Sequence, residues 1–144
     1  MAFRESSAGY MTNLAARLFA RAVHQNVRDL GVSAGYLPVL FALATDKTLT
    51  QTALAKVAAI EQPTMAATLT RMERDGLVLR QPDPLDGRSS LISLTPSAMK
   101  KVKAVEAAVS EINERALSGL TEKERVAFMA ALEAIVRALQ VDGA

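Results

Sequence analysis

The side chains best suited to binding chemistry in this 144-residue chain lie in one stretch, residues 61–95. The first half of the stretch carries amide, hydroxyl and guanidinium groups around a proline, at the spacing of successive helix turns. Groups of this kind donate hydrogen bonds to base edges and to the phosphate oxygens of nucleic acids. The pattern therefore predicts nucleic-acid binding, and its candidate residues are Gln62, Pro63, Thr64, Thr68 and Arg71.

The second half adds a carboxylate and a guanidinium on either side of a glycine, in the run Asp86-Gly87-Arg88. Arg88 is predicted to enter a minor groove or to hold a phosphate. A carboxylate repels phosphate, so we expect Asp86 to orient Arg88 or a neighbouring helix end. For Thr64 and Thr68 an alternative stays open, since both hydroxyls could simply face solvent.

Catalytic and metal-binding chemistry has no comparable pattern in the sequence. There is no glycine-rich phosphate loop and no nucleophile with a paired base. The chain has one histidine and no cysteine, which excludes disulfides, zinc-thiolate sites and thiol redox switches. We therefore expect no enzyme activity, no metal and no cofactor.

The spacing of apolar residues predicts the helices that would position the candidates. Met65, Leu69 and Met72 recur at helical intervals and indicate one buried face. This helix should begin at the proline and end at the Asp-Gly pair that follows it. An earlier helix over residues 51–58, capped by Thr50, and a connector of about four residues complete a helix-turn-helix.

A β-hairpin is predicted immediately after this helix. Residues 77–80 and 90–94 are strand-like, and Leu49 would add a third strand. The connecting residues 83–89 contain strong turn formers, and we expect a loop longer than a tight hairpin needs, with its tip in solvent. Helix-turn-helix plus projecting hairpin is the layout of a winged helix, in which the helix enters the major groove.

The same residues resemble a known family. Asp86-x-Arg88 with Leu94-Thr95 matches the D-x-R-x-x-x-x-x-L-T signature of MarR-type transcriptional regulators. Residues 61–64 and 72–78 are also similar to that family, closest to its SlyA-like branch, and the resemblance extends over nearly the whole chain. It implies a dimeric regulator that binds a pseudo-palindromic operator in double-stranded DNA, as a repressor released by a small aromatic or anionic effector.

The expected fold class is mainly α with a small β-hairpin wing. One domain would combine a winged helix-turn-helix core at about residues 32–95 with dimerisation helices at about 9–31 and 96–140. The flanking helices are too long and too apolar for a core of that size to cover, so we predict a homodimer. The alternative is a compact monomeric helical bundle.

An effector site is implied by the resemblance alone. Relatives use their first two helices to line a pocket for aromatic or carboxylate ligands, and the matching candidates here are Arg17 and Tyr36. Two alternatives remain open. Arg17 belongs to a stripe of basic residues that could be a solvated face, and Tyr36 could be a core-edge aromatic with its hydroxyl in water.

Charge gives little support to any partner by itself. The whole chain carries +2, and residues 61–95 carry four arginines against five carboxylates. The DNA prediction therefore depends on positioned arginines, and a winged helix that binds protein instead of DNA remains the alternative. No apolar run approaches the roughly 20 residues of a membrane span and no signal peptide is visible, so a cytoplasmic location without a membrane partner is expected.

Overall fold

The computed structural model of the protein describes residues 1–140. Two 3₁₀ turns, Arg28–Leu30 and Ala34–Tyr36, separate the second and third of its helices. The chain divides into two compact units, Met1–Val109 and the residues from Ser110 onward. The predicted class, mainly α with a small wing, is confirmed by the order of elements: α1 (Phe3–Ser6), α2 (Ala8–Val27), α3 (Leu37–Asp46), β1 (Thr48–Thr50), α4 (Gln51–Ala58), α5 (Gln62–Arg74), β2 (Val78–Asp83), β3 (Asp86–Leu94), α6 (Pro96–Ala116) and α7 (Glu122–Gln140).

The core of the first unit is built from one apolar face each of α3, α4 and α5 against the sheet. The side chains concerned are fully buried, and burying each one stabilises the fold by roughly 1.5–3 kcal/mol. The largest of them are Leu40, Leu43, Leu54, Met65, Leu69, Met72 and Ile92. The predicted inner face of α5 is thus confirmed.

The helix-turn-helix has well-defined ends. Thr50 caps α4 as expected, because its hydroxyl accepts a hydrogen bond of 3.1 Å from the Ala53 N–H. The turn that follows passes through Ala59, whose φ of +53° is left-handed. At the other end of α5, Gly76 has a φ of +74°, and the Leu77 N–H donates to the Met72 carbonyl at 2.8 Å. This arrangement is a Schellman motif, which ends the helix where the sequence predicts.

The three strands form one antiparallel sheet in the order β1-β3-β2. The predicted strand at Leu49 is confirmed, and it pairs with Ile92. The predicted loop over residues 83–89 is wrong, because β2 and β3 continue to Asp83 and Asp86 and only two residues turn the chain. The side chain of Asp83 accepts a 2.9 Å hydrogen bond from the Leu85 N–H and so stabilises this two-residue turn. Polar residues that we expected in a loop therefore belong to the strands.

Thr95 joins the wing to α6. Its hydroxyl donates to the Gly76 carbonyl at 2.7 Å and accepts from the Ala98 N–H at 3.1 Å. The first bond fixes the chain that leaves α5, and the second caps α6. Because one side chain serves both elements, it connects the end of α5 to the start of α6.

The second unit contains the last part of α6 and the described part of α7. A capping box begins α7, since Thr121 and Glu124 exchange side-chain to backbone hydrogen bonds of 2.9 and 3.2 Å. Donation by the Thr121 N–H lowers the pKa of Glu124 below its ordinary value. No residue of α7 is buried, and Val126, Met129 and Leu139 are each more than half exposed.

No single helix among residues 1–140 is long and apolar enough to cross a membrane, and the pair Ala8–Leu30 and Ala34–Asp46 meets that test only when joined across a 93° bend. The same residues contain no group of three or more His, Cys, Asp or Glu side chains that could hold a metal ion.

Replacement of Thr95 by valine tests its double role. We expect Thr95→Val to lower the free energy of unfolding by about 1–2 kcal/mol, because it removes a helix cap and leaves the Gly76 carbonyl without its partner. Chemical denaturation monitored by circular dichroism measures the change. Thr48→Val is the matched control, since Thr48 is exposed and its hydroxyl makes no hydrogen bond within residues 1–140. Equal effects of the two substitutions would contradict the role of Thr95.

Candidate nucleic-acid interface

The outer face of α5 presents the predicted donors to solvent. Because Met65, Leu69 and Met72 are fully buried on the inner side, the rotation of the helix about its axis is fixed. The residues of the opposite side are exposed and mostly small, with two long arginines among them: Gln62, Pro63, Thr64, Ala67, Thr70, Arg71 and Arg74. A helix with such a face can approach a groove closely.

Thr68 requires a correction. We expected its hydroxyl on the exposed side, but the residue is only 4% exposed. The hydroxyl lies 3.5 Å from Arg71 Nη2 and can accept from it. Thr68 lies three positions from both Met65 and Arg71, at the border of the buried stripe, so its hydroxyl contacts Arg71 instead of solvent.

Arg80 connects three elements beside this face, which sequence reasoning missed. It lies on β2, and its guanidinium nitrogens lie 3.5 Å from Gln51 on α4, from Thr70 on α5 and from Glu73 on α5. Gln51 in turn donates to Gln62 at 3.3 Å. Each bond is weak, but together they tie the hairpin to both helices of the helix-turn-helix. No periodicity in the sequence signals this arrangement, because it depends on how β2 crosses α5.

The wing carries a fully exposed cation. The side chain of Arg88 is 95% exposed, and its Nε lies 3.6 Å from Asp86 Oδ1. The same carboxylate oxygen accepts a 3.0 Å hydrogen bond from the Arg88 N–H. Asp86 thus contacts both the backbone and the guanidinium of Arg88, and its role in orienting Arg88 stays a prediction.

A polar cleft separates the wing from the start of α4. It encloses about 350 Å³ and is lined by Gln51, Thr52, Asp86, Arg88, Ser89 and Ser90. Gln51 also contacts Gln62 at the start of α5. The wing and the beginning of the candidate reading helix are thus connected through one side chain and belong to a single polar surface.

The far end of α5 is held by a second polar contact. The Tyr36 hydroxyl donates to Asp75 Oδ2 at 2.7 Å, and Arg74 Nε donates to Asp75 Oδ1 at 3.1 Å. These two donors lower the pKa of Asp75, so the carboxylate is charged at neutral pH. Burial and the neighbouring Asp75 anion raise the pKa of Tyr36.

The two effector candidates do not form a site in this structure. Tyr36 is buried, and the expectation that its hydroxyl could lie in water is wrong because Asp75 accepts its hydrogen bond. Arg17 is exposed on α2 and has no ion pair within residues 1–140. No hydrogen bond or ion pair links Arg17 to Tyr36.

Titration of Tyr36 tests the contact with Asp75. The pKa of Tyr36 is higher in the folded than in the unfolded chain, so the contact stabilises the fold at pH values below the ordinary tyrosine pKa of 10.0. This stabilisation is lost as the pH rises through the folded-state pKa. We expect Asp75→Asn to lower the pKa of Tyr36, because the anion that opposes its ionisation is gone. Ultraviolet absorbance in a Tyr10→Phe background isolates the signal, since the chain has two tyrosines. An unchanged pKa would contradict the contact.

Comparison with known proteins agrees with this architecture. The MarR family profile matches residues 30–89, which include α3, α4, α5 and most of the wing. An uncharacterized HTH-type transcriptional regulator of Bacillus subtilis (strain 168), YwoH, is 28% identical over 119 residues, covering 83% of this chain and 86% of YwoH.

Solved structures share the fold over most of the chain. A MarR family transcriptional regulator from Silicibacter pomeroyi is 28% identical, with a TM-score of 0.76 over 92% of this chain and 90% of that one. A MarR mutant from E. coli complexed with operator DNA is 21% identical, with a TM-score of 0.81 over 88% of this chain and 91% of its own. The chain is thus similar to MarR-family winged-helix transcriptional regulators, in sequence over residues 30–89 and in fold over most of its length.

Proposed function

We propose that this protein is a sequence-specific DNA-binding transcriptional regulator, with α5 in the major groove and the wing at the adjacent backbone or minor groove. The observation that carries the proposal is the continuous polar surface from the outer face of α5 through Gln51 to the wing. One end of this surface is a helix with few bulky side chains, and the other is an arginine that is 95% exposed. A winged helix reads DNA with these two parts.

The relatives add independent support. The E. coli MarR mutant that shares the fold was crystallised with operator DNA. Curated and structural matches are transcriptional regulators rather than enzymes. On the resemblance of residues 61–64 and 72–78 we further propose that the chain belongs to the SlyA-like branch.

Each candidate residue receives a role that fits its position. Gln62, Thr64 and Arg71 donate to base edges or phosphates from the exposed face of α5, and Pro63 begins that helix without an unused N–H. Thr68 positions Arg71, because its buried hydroxyl accepts a hydrogen bond from the guanidinium. Arg88 inserts at the minor groove or holds a phosphate while Asp86 orients it.

We propose that the DNA-binding form is a homodimer built by the N- and C-terminal helices. In the second unit α7 leaves a row of apolar side chains exposed, among them Val126 and Met129. Burying such a row against the same row of a second copy is the isologous contact of a two-fold dimer. Two copies of α5 would then read a pseudo-palindromic operator with half-sites about 34 Å apart.

Release by an effector completes the proposed mechanism. A small aromatic or carboxylate ligand that binds one form of the dimer better would shift the spacing of the two reading helices away from the operator, and so relieve repression. The exposed Arg17 remains our candidate for the anionic group. Tyr36 is an unsuitable partner for a free ligand in this form, because its hydroxyl is buried and bonded to Asp75.

Two observations favour a second candidate function. Residues 61–95 carry more carboxylates than arginines, and Leu85 at the tip of the wing is 95% exposed. Both features fit a winged helix that binds protein. Retention of a protein partner by a chain that binds no DNA would favour this alternative.

The wing gives the first test of DNA binding. We expect Arg88→Ala to weaken binding to an operator duplex, selected from a random-sequence library, by about ten-fold and to reduce the salt slope by about one per protomer. Fluorescence anisotropy over a salt series measures both quantities. Arg137→Ala is the matched control, because it removes the same charge from a site on α7 that is 71% exposed. An Arg88→Ala variant with wild-type affinity for DNA would show that Arg88 of the wing does not contact DNA.

A substitution on α7 tests the dimer. We expect Met129→Glu to convert dimer to monomer in sedimentation velocity, because it places a charge in the proposed apolar interface. Lys123→Glu, at an exposed polar position of the same helix, should leave the dimer intact. A wild-type chain that sediments as a monomer at micromolar concentration would contradict the proposal.

A further inference from the structure

A buried tyrosine joins two segments that are distant in sequence. Tyr36 is 6% exposed and ends the 3₁₀ turn Ala34–Tyr36, which contacts α2, α3 and α5. Its hydroxyl donates to Asp75, the residue that follows the last turn of α5, at 2.7 Å. A short bond from a buried hydroxyl to a carboxylate restricts that carboxylate to one orientation.

The restricted carboxylate holds an arginine on the candidate reading helix. Asp75 accepts from Tyr36 with one oxygen and from Arg74 Nε with the other, at 3.1 Å. The Arg74 side chain is 69% exposed, and its two terminal nitrogens have no carboxylate partner within residues 1–140. The guanidinium is therefore anchored through its inner edge, and its outer edge is available to a ligand.

We propose that Tyr36 is a positioning residue for DNA binding, which acts through Asp75 to hold Arg74 ready to donate to a backbone phosphate. The proposal rests on the DNA-binding function proposed above and adds Arg74 to its contacts. Arginine matches the geometry of phosphate oxygens through a pair of parallel N–H donors. An arginine already held in one orientation loses less conformational entropy on binding, so the same contact contributes more affinity.

The effect of removing the Tyr36 hydroxyl on DNA binding differs between a purely structural role and a role in positioning Arg74. Loss of a structural hydrogen bond lowers stability and affects all DNA contacts alike. Loss of a positioning bond affects the contact made by Arg74, and has no further effect once Arg74 is gone. The dependence of one substitution on the other therefore separates the two roles.

The test is a double-mutant cycle of Tyr36→Phe and Arg74→Gln on the full chain. Affinity for the selected operator duplex is measured by fluorescence anisotropy across a salt series, at a temperature where all variants are folded by circular dichroism. We expect Arg74→Gln to weaken binding about three- to ten-fold and to reduce the salt slope by about one per protomer. Tyr36→Phe should weaken binding in the wild-type background and leave the affinity of Arg74→Gln unchanged.

Tyr10→Phe is the matched control, since it makes the same chemical change at the other tyrosine, which is 42% exposed. It should leave affinity and salt slope as in the wild type. Additive effects of Tyr36→Phe and Arg74→Gln would overturn the positioning role, and so would an Arg74→Gln variant with wild-type affinity. In either case continued sensitivity to Arg88→Ala would show that the DNA-binding proposal stands, whereas a wild-type chain without DNA binding would overturn both.

Discussion

The burial of three side chains on one face of α5 is the constraint on which the candidate interface depends. Met65, Leu69 and Met72 are inaccessible to solvent, so the helix cannot rotate without exposing them. Each lost burial would cost roughly 1.5–3 kcal/mol, far more than any single contact on the opposite side contributes. The apolar core therefore decides which residues face outward, and the polar residues only refine the direction of their own side chains.

Polar contacts then fix α5 at its start, its middle and its end. Gln51 contacts the first residue of the helix, Arg80 reaches Thr70 and Glu73 from the wing, and Asp75 joins the last turn to Tyr36. The hydrogen bonds and ion pair made by Gln51 and Arg80 have long donor–acceptor distances and are partly exposed. Contacts of that kind contribute little to stability. Their physical effect is on orientation, because they link the helix to α4, to β2 and to the segment before α3. A reading surface needs its helix and wing to keep one relative arrangement, and these contacts provide it.

Local sequence patterns predict most of the fold and only part of the site. The inner face of α5, the cap at Thr50 and the third strand follow from periodicity and turn chemistry, which act over a few residues. The tip of the hairpin was predicted wrongly, because turn-forming residues such as Asp86 and Gly87 can also continue a ladder once the strands pair. The burial of Thr68 and the Tyr36–Asp75 bond depend on how distant segments pack, which a local pattern does not record. Arg88 was found because it belongs to a motif, whereas Arg80 belongs to none.

The central claim is that α5 and the wing form one DNA-reading surface despite the near-neutral charge of residues 61–95. The most direct test is fluorescence anisotropy of the wild-type protein on DNA from upstream of its own gene, beside a scrambled duplex of equal length, over a salt series. We predict tighter binding to the genomic duplex at every salt concentration, with a log–log slope that counts several phosphate contacts. Equal and weak binding to both duplexes, followed by failure to select any sequence from a genome-wide library, would contradict the claim and direct attention to a protein partner.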